Sequence, residues 1–158
     1  MPRITAPAFE LQFPIEDVTA LAARFPAMDE RRFLAVGAAV RARGHYTRAE
    51  FIEVCAWKTP RSRPRVAANP PRTVVAATRR ALGTDDEAAR IAALPDEYPI
   101  LDVRALESLG VKSRSVYPVS FWLGYLEACR TLARRAGVSL RTLDKALWQY
   151  SKENSVAT

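Results

Sequence analysis

Prolines and glycines divide this chain into short segments, and that punctuation limits the possible fold more than any other feature. Apolar residues recur three or four positions apart in the stretches that end at Pro26, Gly44, Pro60, Gly83 and Gly137. This spacing places apolar side chains on one face of a helix, while proline and glycine are residues that end helices. The pattern predicts an all-α protein, an orthogonal bundle of about seven to eight helices.

Size and residue usage predict one domain without a bound cofactor. At 158 residues and 49% hydrophobic content, the chain is expected to form a single helical domain over residues 1–158. Residues 1–15 are expected to form an irregular arm and residues 154–158 a loose tail. Two distant cysteines and one histidine argue against a zinc site or a disulfide framework. No apolar run reaches the roughly 18 residues of a membrane helix, so a cytoplasmic protein with no membrane partner is expected.

Several helix starts are marked by residues that accept hydrogen bonds from free backbone amides. Asp29 is predicted to begin the helix that Gly44 closes, and Thr47 with Glu50 forms a capping-box pattern. Ser120 is predicted to begin the longest helix, which is expected to be the central core element, and Ser139 the last one.

The net charge of +7 is concentrated in one part of the chain. Residues 54–84 contain no acidic residue and seven basic ones: Lys58, Arg61, Arg63, Arg65, Arg72, Arg79 and Arg80. The planar guanidinium group of arginine suits bidentate contacts with phosphate. We therefore expect these seven residues to bind DNA phosphates, the alternative being a solvated basic surface.

Asp102 lies where an apolar segment gives way to a short predicted helix that ends at Gly110. A carboxylate at a helix start accepts a hydrogen bond from an exposed backbone amide of the first turn. A carboxylate held there can also stabilise a cationic sugar or orient a water molecule. The spacing is consistent with either role, and the two roles can coexist.

The segment Pro99-Ile-Leu-Asp102-Val-Arg-Ala-Leu-Glu-Ser-Leu-Gly110-Val resembles the aspartate segment of the helix-hairpin-helix base-excision DNA glycosylases. Trp57-Lys-Thr-Pro-Arg61 and Thr142-Leu-Asp-Lys-Ala-Leu-Trp-Gln-Tyr150 are similar to bacterial proteins of the 8-oxoguanine DNA glycosylase-like group. The resemblance implies a glycosylase-like helical bundle, DNA as partner and a role in base-excision repair. It also implies that Asp102 is catalytic and stabilises oxocarbenium-like charge while a flipped damaged base departs.

The chain departs from that family in the region that should grip DNA. The family places a hairpin with a glycine-rich turn immediately before the aspartate segment, but no glycine occurs between Gly83 and Gly110. The lysine of lyase-type members has no counterpart. The chain therefore resembles a shortened relative without a recognisable hairpin, and whether it is an active hydrolase or a DNA-binding protein without catalysis stays open.

A second reading concerns residues 132–147, which are similar to the helix-turn-helix of bacterial repressors. In that reading Arg141, Thr142 and Lys145 would enter a major groove. Two core helices joined by Gly137 and Ser139 give the same pattern, and we favour them because Trp148 and Tyr150 extend the second helix with large apolar groups. A third reading is a helical module that binds another protein.

Overall fold

The computed structural model describes residues 7–58 and 94–155, and this part of the chain is all-α, as predicted. It contains six α-helices, one 3-10 helix and no strand. A 3-10 helix, Ile15–Asp17, is followed by α1 (Val18–Ala23), α2 (Ala27–Arg43), α3 (Arg48–Lys58), α4 (Val103–Ser108), α5 (Val119–Ala136) and α6 (Leu140–Asn154). The helices predicted between residues 69 and 94 lie outside the described residues, so the glycosylase-like arrangement and the total helix count stay predictions.

Contacts divide the chain into two compact units. One unit comprises residues 26–98 and includes α2 and α3; the other comprises residues 1–25 and 99–158 and includes α1, α4, α5 and α6. None of the described helices is both long enough and apolar enough to cross a membrane.

In the unit of residues 26–98, the turn between α2 and α3 has the predicted hydrogen bonds. Gly44 ends α2 with a φ of 85°, and its amide donates to the Val40 carbonyl at 2.7 Å. The Glu50 amide donates to Thr47 Oγ1 at 3.2 Å, and the Thr47 amide donates to Glu50 Oε2 at 2.9 Å. The capping box is therefore confirmed. Burial acts to raise the pKa of Glu50, but hydrogen bonds from Thr47 and Arg43 outweigh it and lower that pKa.

Two predicted helix starts are wrong, and both errors lie just after a proline. The first residues of α2 and α5 follow Pro26 and Pro118, so Asp29 and Ser120 fall inside the first turn. Both prolines have the extended geometry of a residue that precedes a helix, with ψ values of 106° and 156°. Because the proline ring already fixes φ near the required value, the helix begins without a polar side chain at that position.

In the other unit, α6 packs against α1, α4 and α5. The helix at the centre of this unit is therefore α6, whereas the sequence pattern favoured α5. One face of α5 is nevertheless buried, and it includes Phe121, Tyr125, Leu126 and Cys129. The core of the unit includes Val18, Leu21, Leu106, Leu109, Phe121, Tyr125, Cys129, Leu132, Leu143 and Leu147.

The predicted arm is irregular over its described residues and lies against the end of α4. The amides of Glu10 and Gln12 donate to the carbonyls of Leu109 and Ser108, both at 3.0 Å. Gly110, with a φ of 69°, ends α4, and a Cβ atom at this position would lie 2.5 Å from Gln12 Nε2. The Gln12 side chain is flexible enough to move away from such an atom, so it is the positive φ that favours glycine at position 110.

Arg24, which follows α1, forms an ion pair with Glu153 in α6. This ion pair predicts a specific response to acid. Arg24 Nε donates to Glu153 Oε1 at 2.8 Å and Arg24 Nη2 donates to Oε2 at 2.9 Å. Hydrogen bonds from Arg24 and then Gln149 lower the pKa of Glu153 from 4.5 to about 2. The resulting stabilisation is present above the unfolded-state pKa and is lost as the pH falls through the folded-state value.

We expect Glu153→Gln to unfold more readily than the wild type at pH 7 and to match it near pH 2. Measuring urea unfolding by circular dichroism at a series of pH values between 7 and 2 tests this. Arg24→Gln should remove the same pH-dependent difference, and the double variant should add nothing further. A constant difference between Glu153→Gln and the wild type across this pH range would contradict the prediction.

Candidate functional site around Asp102

Asp102 begins α4, as predicted, and its side chain is fixed by that helix. Its backbone is extended, with φ of −142° and ψ of 175°, and Oδ1 accepts a hydrogen bond from the Ala105 amide at 2.8 Å. The residue is half-buried. The structural role of Asp102 is thus confirmed, and its partial exposure keeps it within reach of a ligand.

The non-helical segment before Asp102 is held by side chains from α5 and α6. The Ile100 amide donates to both carboxylate oxygens of Asp144, at 3.2 and 3.1 Å. The Ile100 carbonyl accepts a hydrogen bond from the Tyr125 hydroxyl. Because both polar backbone groups of Ile100 are paired to core side chains, the position of the chain is fixed two residues before Asp102.

The environment of this segment keeps its neighbouring hydroxyl and thiol groups protonated. Burial is the main cause that raises the pKa of Tyr125 well above its usual value, and Cys129, Asp144 and Asp102 raise it further. Burial also raises the pKa of the Cys129 thiol, as does Asp144. Tyr125 therefore serves as a hydrogen-bond donor, and Cys129 is not a nucleophile at neutral pH.

Arg141 lies inside the protein, which bears on the helix-turn-helix reading. It is 5% exposed, and its Nη1 lies 3.9 Å from Asp144 Oδ2. The Thr142 amide donates to Ser139 Oγ at 3.1 Å, which confirms Ser139 as the residue that begins α6. A guanidinium group in this position does not face a DNA groove, and Leu140 is buried beside it. The burial of α6 favours the reading in which α5 and α6 are ordinary core helices.

The predicted DNA-binding residues are not placed by the structure. Lys58 is the last residue of α3, and its side chain lies outside the described residues. The six arginines of the predicted surface, Arg61, Arg63, Arg65, Arg72, Arg79 and Arg80, lie in the range 59–93, which is also outside them. Their role in binding DNA phosphates stays a prediction.

Asp144 and Tyr125 were not predicted to hold the candidate site. The sequence did contain one indication for Asp144. Arg141 and Asp144 are three residues apart, a spacing at which opposite charges pair, on a helix whose other predicted buried positions are apolar. Nothing in the sequence around Tyr125 indicates that its hydroxyl reaches Ile100, 25 residues away in the chain.

Within residues 7–58 and 94–155, no group of three or more His, Cys, Asp or Glu side chains could hold a metal ion. Comparisons of the chain with models of protein families, with curated proteins and with solved structures found no match.

Removing either side chain that binds Ile100 should destabilise the protein, by different amounts. Asp144→Ala removes the carboxylate beside buried Arg141 and is expected to cost on the order of 3–5 kcal/mol. Tyr125→Phe leaves the Ile100 carbonyl without this donor and is expected to cost about 1–3 kcal/mol. The measurement is the free energy of unfolding in urea.

Tyr117→Phe is the matched control for the loss of the Tyr125 hydroxyl. The Tyr117 hydroxyl accepts a hydrogen bond from the Arg114 amide at 2.9 Å in the exposed linker before α5, where water can replace it. Equal losses of stability in the two Tyr→Phe variants would show that the hydrogen bond from Tyr125 to Ile100 contributes no more to stability than the exposed one at Tyr117.

Proposed function

We propose that this chain is a DNA-binding protein of the base-excision type, with Asp102 as its candidate catalytic carboxylate. The observation that carries the proposal is the acid-free window of residues 54–84, which contains seven basic residues. Such a concentration of cations binds the phosphate backbone by releasing its counterions. In this proposal the residues from Lys58 to Arg80 make the phosphate contacts.

The geometry of Asp102 supports the catalytic part of the proposal. When the N-glycosidic bond breaks, the base leaves with the bonding electrons and the deoxyribose gains oxocarbenium-like positive charge. A carboxylate stabilises that charge best when it is already fixed in position, because no reorganisation is then needed in the transition state. The hydrogen bond from Ala105 and the two contacts at Ile100 provide such fixation.

A second candidate function is DNA binding without base removal. It is favoured by the absence from the sequence of the glycine-rich hairpin that presents DNA in the glycosylases. In that case Asp102 serves only to begin α4. The two candidates share the same phosphate contacts and differ in whether a damaged base is released.

Affinity for duplex DNA should depend steeply on salt, and the basic window should supply much of that dependence. In the variant Arg61→Ala, Arg63→Ala, Arg65→Ala, the slope of log K against log salt should fall by about 2 to 3, since each lost phosphate contact removes roughly one. Fluorescence anisotropy of a labelled duplex between low and physiological salt gives both the affinity and the slope.

The control carries the same loss of charge outside the window: Arg31→Ala, Arg134→Ala, Arg135→Ala, three exposed arginines. It should bind DNA with a slope close to that of the wild type. Equal effects of the two triple variants would contradict a localised DNA surface. If the wild type does not bind DNA even at low salt, the protein-binding module becomes the favoured class.

Asp102→Asn separates catalysis from folding, because asparagine begins helices as well as aspartate does. Its free energy of unfolding should stay within about 0.5 kcal/mol of the wild type. Release of a damaged base should fall by on the order of 10²–10³-fold. Duplexes carrying 8-oxoguanine, uracil or an alkylated base are incubated with protein, and abasic sites are cleaved with alkali and counted on a gel.

Glu107→Gln, which changes an exposed carboxylate on the same helix, is the control and should keep the wild-type rate. If the wild type releases none of these bases while binding DNA, the non-catalytic candidate is correct. If Asp102→Asn releases a base as fast as the wild type, Asp102 is not the catalytic carboxylate.

A further inference from the structure

Two cations lie over one tryptophan, and one of them, Arg104, is two residues after Asp102. The Arg104 Cζ atom lies 5.2 Å from the centroid of the Trp148 ring, and Lys152 Nζ lies 5.0 Å from it. Arg104 belongs to α4, whereas Trp148 and Lys152 are four residues apart on α6. We call Arg104, Trp148 and Lys152 the cationic cluster. It lies where α4 and α6 pack together, within a single unit of the fold.

The two cations of the cluster differ from several other basic residues of the protein. Arg24, Arg43 and Arg141 lie within ion-pair distance of a carboxylate. Over the parts of the chain that are described, neither Arg104 nor Lys152 has such a pair. Since both charges lie near 5 Å from the same ring centroid, they are within about one Debye length of each other, roughly 10 Å at 0.1 M salt. An anion bound between them would relieve their repulsion.

The nearby carboxylates are engaged elsewhere. Glu107, one turn after Arg104 on α4, accepts hydrogen bonds at Oε2 from Ser151 Oγ at 2.5 Å and from Ser155 Oγ at 3.3 Å. Glu153, next to Lys152, is bound to Arg24 and Gln149. Neither Glu107 nor Glu153 is therefore paired with Arg104 or Lys152, so the donors of both cations are available to a ligand.

We propose that the cationic cluster binds a backbone phosphate of the nucleic acid, at the helix that Asp102 begins. Arginine offers a fork of N–H donors that matches two phosphate oxygens, and lysine adds a compact charge. The indole ring holds both side chains before binding, so less conformational entropy is lost when a phosphate arrives. This inference rests on the proposed function, because it assigns a second contact to the same DNA.

The position of Arg104 determines where the bound backbone would lie relative to α4. Arg104 is two residues after Asp102, in the first turn of the helix that Asp102 begins. A phosphate held by Arg104 therefore places the sugar–phosphate backbone at the first turn of the helix that Asp102 begins, although side chains two residues apart on a helix point in different directions. The cluster would perform the positioning task that a helix-hairpin-helix performs in the glycosylases, using side-chain cations where the hairpin uses backbone amides.

Trp148 itself is assigned to ordering the two cations, with no role in stacking on a base. Both cations lie over its ring, and Phe25 packs against it edge-on, with ring centroids 5.2 Å apart and planes at 74°. A base could stack on the indole only by displacing these contacts. Phosphate is thus the ligand chemistry that leaves the observed arrangement intact.

The test compares two double variants. The first carries Arg104→Gln and Lys152→Gln, and the control carries Arg134→Gln and Arg135→Gln. Arg134 and Arg135 are exposed, lie in the same unit, and give the same loss of charge when replaced. Both double variants and the wild type are titrated into a labelled duplex at several salt concentrations. We expect the first variant to bind about tenfold more weakly at low salt, with a salt slope reduced by about 1, because the two cations hold a single phosphate. The control should stay within about twofold of the wild type.

A swap variant, Arg104→Lys, Lys152→Arg, keeps both charges and distinguishes phosphate binding from a structural role of the cluster. Its salt slope should match that of the wild type and its affinity should lie within a few-fold, even if packing around Trp148 changes. The urea midpoint of each variant, followed by circular dichroism, is measured in parallel. A slope lost in the Gln variant and restored in the swap supports the proposal whatever the change in midpoint.

The outcomes separate this inference from the function on which it rests. If the wild type binds DNA and the Arg104→Gln, Lys152→Gln variant keeps the wild-type affinity and slope, the cluster is not a phosphate site, while the proposed function stands. If the control loses as much affinity as the cluster variant, the effect is one of general charge and the inference is overturned. If the wild type binds no DNA at low salt, the proposed function fails and the inference with it.

Discussion

The pairing of Ile100 with two core side chains is the constraint on which the candidate site depends. A segment outside the helices cannot pair its polar backbone groups along a helix, and a buried group left unpaired is costly. Here Asp144 receives the amide hydrogen and Tyr125 donates to the carbonyl. Because these side chains belong to α6 and α5, the position of Asp102 is set by the packing of the core helices and not by a surface loop.

This solution requires charged groups in the interior. Asp144 and Arg141 are 4% and 5% exposed, and removing two ions from water costs several kcal/mol each. An apolar pair of similar volume would often be at least as stable, so net stability is a poor explanation for their presence. An apolar residue at position 144, however, could not accept the Ile100 hydrogen bond. We interpret the buried pair as fixing the position of one segment. This role explains why the free-energy cost of removing the two charges from water is tolerated.

Short-range features of the fold could be predicted from sequence, and long-range features could not. Asp102, Ser139 and the pair Thr47 and Glu50 each begin a helix through contacts three residues apart, so the pattern lies within one window of the chain. Asp29 and Ser120 show the same pattern, but their helices begin earlier, directly after a proline. Asp144 binds an amide 44 residues away, and its sequence context would suit an exposed helical position equally well. The contact between Arg104 and Trp148 has the same long-range character.

One unit of this fold is assembled from two stretches of chain that are separated by residues 26–98. The arm and α1 bury Phe13, Val18 and Leu21 in the core they share with α4, α5 and α6. Bringing such distant stretches together carries a loop-closure cost before any contact rewards it. During synthesis α1 cannot pack against α6, the helix with which it has its main contact, until residues 140–154 have left the ribosome. Until then the apolar residues that α1 buries against α6 stay uncovered, which leaves the growing chain open to aggregation.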